Sequence, residues 1–195
     1  MLETYTNKPN IVNYNNNNTV NNNLTIKQMV TKLDPIDFKD IKEHMNNYST
    51  SYQDKGAKGY AEFLCEHPFK DKFITTDFTR NTIAYKTKEI DFIRDPESSY
   101  LITRSIKENS DEIVEKASKR LTTINTKIKK TNDEDDFDEY ICKKTDIKQL
   151  IDVAENISNK QLVDKDMSKV FKNNGLKTYQ TLLEKGCNSI ENIND

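Results

Sequence analysis

Proline and glycine occupy few positions in this 195-residue chain, and their placement limits what it can build. The four prolines (Pro9, Pro35, Pro68 and Pro96) lie in the first half, and neither residue type occurs between Pro96 and Gly175. Proline removes a backbone donor and clashes with the preceding turn, while glycine weakens a helix through its conformational freedom. A long, charged stretch without either reads as helices. The preceding segment, from Gly56 to Glu97, reads as a short apolar helix, a Pro68 stop, two strand-like runs and a capped helix start.

Hydrophobic residues make up 34% of the chain and charged residues 32%, against a usual apolar share of about 45–50%. Such a chain buries one modest core, so part of it should stay solvated or be covered by another chain. Net charge is −2, which gives no bulk field toward nucleic acid or an anionic membrane. No run approaches the length of a membrane span and the N-terminus has no apolar leader core. The expectation is a protein that is not secreted, held inside a cell or carried within a particle. Cys65, Cys142 and Cys187 are widely spaced, with no CxxC or Cys/His cluster.

Nine of the fourteen residues from 10 to 23 are Asn. Asn side chains compete for backbone hydrogen bonds and disfavour helix. Residues 1–33 are therefore expected to form an extended or disordered Asn-rich arm. Asp34-Pro35 suggests a helix over 35–47, and Asn46-Asn47 would end it. Tyr60, Phe63 and Leu64 share a helical face. Phe73–Thr76 and Thr82–Tyr85 predict a hairpin, with Phe73, Ile83 and Tyr85 packed on that face, and Ile90–Ile93 could add a strand. Asp95-Pro96-Glu97 predicts an N-cap, first position and acidic first turn. Val114, Ala117, Leu121, Ile124 and Ile128 recur at spacings of 3 and 4, a heptad-like seam suited to a coiled coil. Asp133–Asp136 reads as an acidic loop near 131–139, followed by a helix from Thr145 or Asp146. Asn173-Asn174-Gly175 reads as a helix stop.

The fold expectation is α+β and mostly helical: an Asn-rich arm (1–33), a small helix–hairpin domain (34–96) and a helical region (97–195).

Catalytic chemistry finds little support. The acid-x-Lys triplet of a metal nuclease is replaced by Ala84-Tyr85-Lys86. Cys65 and His67 are two apart and would not share a helix face. Neither phosphate-binding glycine fingerprint is present; Gly56-Ala57-Lys58-Gly59 offers only a glycine turn before a helix. No catalytic residue, metal ligand or cofactor is expected. Lys58, Lys70, Lys72, Arg80, Lys86 and Lys88, interleaved with Phe73, Phe78 and Tyr85, are candidate nucleic-acid contacts.

The Asn-rich tract followed by Gly56, Gly59-Tyr60-Ala61, Pro68-Phe69-Lys70-Asp71, Asp77, Arg80, Tyr85-Lys86 and Asp95-Pro96-Glu97 resembles an uncharacterised protein family of giant, mimivirus-like DNA viruses. The chain departs from that pattern at Thr75, often Cys there, and at Asn81, often basic. The resemblance implies a viral source and no activity. The leading expectation is a non-enzymatic, self-associating interaction protein, a homo-dimer or homo-trimer joined through the 114–128 seam. The alternative is a nucleic-acid-binding module built on the 70–88 hairpin and the 56–59 turn.

Overall fold

In a computed structural model, residues 25–157 and 164–191 are described, with side chains to residue 185. The Asn-rich stretch before residue 25 lies outside them. The fold is mostly helical α+β, with a three-stranded antiparallel sheet in the order β1-β2-β3 (β1 Phe73–Asp77, β2 Thr82–Tyr85, β3 Ile93–Asp95).

The hairpin forms where the β-branched and aromatic runs predict it. Phe73 pairs with Tyr85, Ile74 with Ala84 and Thr75 with Ile83, and a bulge follows before Asp77. The Asp77 carboxylate accepts from the Thr79 and Arg80 amides, and Asn81 takes a positive φ of 51°, which closes the turn. Strand β3 begins at Ile93, the end of the run from which a third strand was expected.

Period-two alternation sends Phe73, Ile83 and Tyr85 to one face and Ile74 and Ala84 to the other. The first face meets α4 (Gly56–Glu66) in a core containing fully buried Tyr60, Phe63 and Leu64, as expected. Each such side chain contributes about 1.5–3 kcal/mol by leaving water. That core also draws in Ile41 of α2 (Asp40–His44), Tyr48, Leu101 and Ile106 of α5 (Ser99–Glu108), Ile113 of α6 (Ser110–Ile128), Leu150 of α7 (Glu134–Asn156) and Phe171 of α8 (Lys165–Glu191). One continuous core thus takes residues from both sides of position 96.

The second face is covered by α1 (Ile26–Thr31) through Met29 and Val30, and by Tyr179, Leu182 and Leu183 of α8. Residues 25–33 are therefore not an extended arm. Thr25 and Gln28 form a reciprocal capping box, and the helix gains burial that an isolated six-residue helix would lack.

Four further expectations change. Helix α2 starts at Asp40 instead of residue 35, because the Ile36 amide donates to the Lys86 carbonyl at 2.8 Å and holds that stretch beside β2. Asp95 ends β3 and still caps: its carboxylate accepts from the Tyr100 and Leu101 amides at 3.0 and 2.8 Å. A 3-10 turn at Pro96–Ser98 intervenes, with Glu97 and Ser98 both at φ 56°. The acidic run is not a loop. Asp133 caps α7 by accepting from the Asp136 amide, and Glu134, Asp135 and Asp136 occupy the first turn, where the helix dipole favours them. Helix α8 runs through Asn173-Asn174-Gly175, with the Asn174 side-chain Nδ2 donating to the Val170 carbonyl and Gly175 buried against β1.

Candidate interaction surfaces

Helices α6 and α7, joined by residues 129–133, fold back on each other as a helical hairpin. The heptad-like seam faces inward along it. Ala117 and Ile124 are buried with Ile147, flanked by half-buried Leu121, Ile128, Tyr140 and Ile151. Val114 packs against the main core. All five seam residues therefore find their partners within one chain. The hairpin is anchored to the body by Arg120, whose guanidinium grips the Asp54 carboxylate twice, at 2.5 and 2.7 Å, with Lys143 3.8 Å away. Asp54 lies just beyond α3 (Thr50–Gln53). Both members of the Arg120–Asp54 pair are largely buried, so this bidentate contact is worth more than an exposed ion pair.

The outer side of α7 is different. Phe137 and Ile141 are 41% and 37% exposed, four residues apart on one helix face. Glu134, Thr145 and Lys148 continue the same stripe, all exposed. Neither Glu134 nor Lys148 forms an ion pair among the described residues.

The basic candidates scatter over several jobs. Lys72 pairs with Asp40 at 2.9 Å and Lys88 with Asp37 at 2.5 Å. Hydrogen bonding from Lys88 holds the Asp37 carboxyl below its ordinary value and raises the lysine in turn. The Lys86 ammonium donates to the Thr31 carbonyl, closing the C-terminal end of α1. Lys58 and Lys70 are exposed and form no ion pair among the described residues. Arg80 is 82% exposed and stands 3.9 Å from Asp77.

Around the hairpin turn the structure adds residues that the basic run had not included. Phe78 is 53% exposed, with the Lys172 ammonium 4.2 Å above its ring centroid. Arg80 and Arg94 line an open depression with Thr79, Thr82, Pro96 and Glu97. Lys172 and Arg94 are distant in sequence from the turn, so only the fold gathers them.

The glycine turn serves packing. A Cβ on Gly56, which has φ 52°, would lie 2.3 Å from the Asp146 carbonyl oxygen, and one on Gly59 would lie 1.9 Å from the Tyr52 carbonyl oxygen. The two glycines are thus required by the close approach of α7 at Gly56 and of Tyr52 in α3 at Gly59. Cys65 is buried, and burial pushes its thiol well above the ordinary range, so it is not a ready nucleophile. His67 stands beside the Tyr52 hydroxyl, which donates to Glu66 at 2.5 Å. Burial first, then the Glu66 carboxylate, push that phenol up to about 12. Among the described residues no three His, Cys, Asp or Glu side chains are grouped to hold a metal, and no helix is long and apolar enough to cross a membrane.

The α7 stripe was hidden in the sequence because the helix was expected to begin at Thr145, which leaves Glu134, Phe137 and Ile141 outside it. The usable signal was the capping pattern at Asp133. No protein-family model, curated protein or solved structure matches this chain.

Proposed function

We propose that this chain is a non-enzymatic interaction protein that self-associates. The observation that carries the reading is the exposed Phe137–Ile141 pair on a helical hairpin whose own seam is already closed. The apolar side chains that still face solvent in regular spacing lie there, and burying them against another chain recovers the hydrophobic free energy that folding leaves unused. The resemblance of the Gly56–Glu97 segment to a giant-virus family supports a viral setting, inside the infected cell or the particle. The test is molar mass by light scattering, from about 1 to about 200 µM protein. A mass rising from one chain toward two supports the reading; a single-chain mass throughout overturns it.

A second reading is nucleic-acid binding at the hairpin turn. Exposed Phe78 supplies a stacking face with Lys172 over its ring, and Arg80 and Arg94 line the neighbouring depression together with Glu97. It differs from the first in its response to salt, which weakens phosphate contacts far more steeply than a small contact held mainly by apolar side chains.

A further inference from the structure

The outer stripe of α7 is Glu134, Phe137, Ile141, Thr145 and Lys148, at spacings of 3, 4, 4 and 3. The spacing is the same from either end, and Ile141 is its midpoint. The two ends differ in charge: Glu134 at one, Lys148 at the other, both exposed and neither paired among the described residues. The stripe runs along the flank of α7, away from the Tyr140, Ile147 and Ile151 side chains that face α6.

We infer that α7 pairs with α7 of a second copy, antiparallel, about a two-fold axis at Ile141. This rests on the self-association reading and names the surface that performs it. A two-fold interface sets a patch against itself, so a residue n positions before Ile141 meets one n positions after it in the partner. Glu134 and Lys148 each lie seven positions away (141 − 134 = 148 − 141 = 7). The arrangement stacks Ile141 on its own copy, lays the two phenyl rings of Phe137 on either side of it, and faces each Glu134 toward the other chain's Lys148. A parallel pair would set Glu134 on Glu134 and Lys148 on Lys148, where like charges repel. Charge complementarity therefore selects both the occupant, a second copy, and its direction.

The contact is small. Four helical turns with two large apolar side chains bury less than the roughly 800 Å² per partner of a standard interface, so the dimer should be weak, with Kd on the order of tens of micromolar. The residues involved are exposed in the single chain, so exchanging them leaves the core intact, and circular dichroism and the unfolding midpoint check this for each variant.

The experiment is sedimentation equilibrium on the full chain at low salt with Glu134→Lys, Lys148→Glu, the double variant and Ile141→Asp. Each single charge reversal should weaken dimerisation by roughly 3–10-fold, the double should return to within about 2-fold of the parent, and Ile141→Asp should abolish it. As a second readout, Ile141→Cys in a Cys142→Ser, Cys187→Ser background should form an interchain disulfide under mild oxidation, and Thr145→Cys in that background should not. A parent chain that is monomeric throughout overturns both this pairing and the self-association reading. A chain that dimerises equally well with Ile141→Asp, or whose double charge variant is no better than the singles, overturns the pairing and leaves self-association standing through another surface.

Discussion

Gly175 lies so close to Thr75 that a methyl group on its Cα would stand 2.7 Å from the Thr75 hydroxyl oxygen and 2.8 Å from its backbone nitrogen. One turn earlier, the same hydroxyl donates to the Lys172 carbonyl at 2.6 Å. Strand β1 is an edge of the sheet, and α8 crosses that edge here. Phe171, on one side of the crossing, enters the core with Phe73, while Leu182 and Leu183 reach the opposite face of the sheet. The glycine lets one helix serve two clusters while shielding a strand edge that could otherwise pair with another chain.

Gly175→Ala gives the first prediction, because two effects oppose each other in sign. Ala in a helix interior ordinarily gains about 0.8–1 kcal/mol over Gly. Here the new methyl would sit against backbone atoms of β1 that cannot move aside, and overpacking of this kind costs about 1–3 kcal/mol. Net destabilisation is expected in urea unfolding. A stability equal to or above the parent's would show that α8 does not approach β1 so closely.

Contacts of this kind, between residues distant in the chain, are what local sequence patterns do not record. The hairpin and its packing were legible because strand pattern and apolar spacing are local, and Phe73, Ile83, Tyr85, Tyr60, Phe63 and Leu64 carry both. Gly175 was misread as a stop because its role depends on a strand about 100 residues earlier, which no local pattern records. Asp133–Asp136 suggested solvated loop, yet the same carboxylates stabilise a helix N-terminus. The seam at 114–128 was legible as a seam, but a heptad pattern does not say whether its partner lies in the same chain or another. The basic candidates were legible as charges; the fold alone shows Lys72 and Lys88 committed to carboxylates, Lys86 to a helix end, and Arg94 brought beside Arg80.

Ile124→Ala tests where the seam finds its partner. Ile124 is fully buried between α6 and α7, so truncation should cost about 2–4 kcal/mol. The contact is within one chain, so the loss should be the same at low and high protein concentration. A loss that appears only at high concentration would place the seam between chains instead.

Asp95 predicts a pH dependence. Its carboxyl is buried at the end of β3, and burial raises its pKa above the ordinary 3.8 despite the Leu101 and Tyr100 amides that favour the charged form. A carboxyl with a raised folded-state pKa binds its proton more tightly in the native chain than in the unfolded one. Stability from this group therefore falls as pH climbs from 3.8 through the raised value and is level above it. Asp95→Asn removes that slope. Urea midpoints measured for both proteins across this range should show the parent losing stability relative to the variant as pH rises; parallel curves would refute the shift.

The nucleic-acid reading stands or falls on salt dependence. The chain is net acidic, so binding must come from a few phosphate contacts at the hairpin turn, where Arg80 and Arg94 are the cations facing the depression. Replacing both with Ala should lower the slope of log affinity against log salt by about 1.4 on single-stranded DNA, at about 0.7 per contact. Phe78→Ala should weaken single-stranded binding by about 1–3 kcal/mol, through loss of base stacking, and leave double-stranded binding nearly unchanged. Replacing Lys88, whose charge is already paired with Asp37, should change the slope far less than replacing either arginine. A titration at low salt settles the matter: no binding, or a slope that the Arg80 and Arg94 replacements do not move, removes nucleic acid from the functions of this surface.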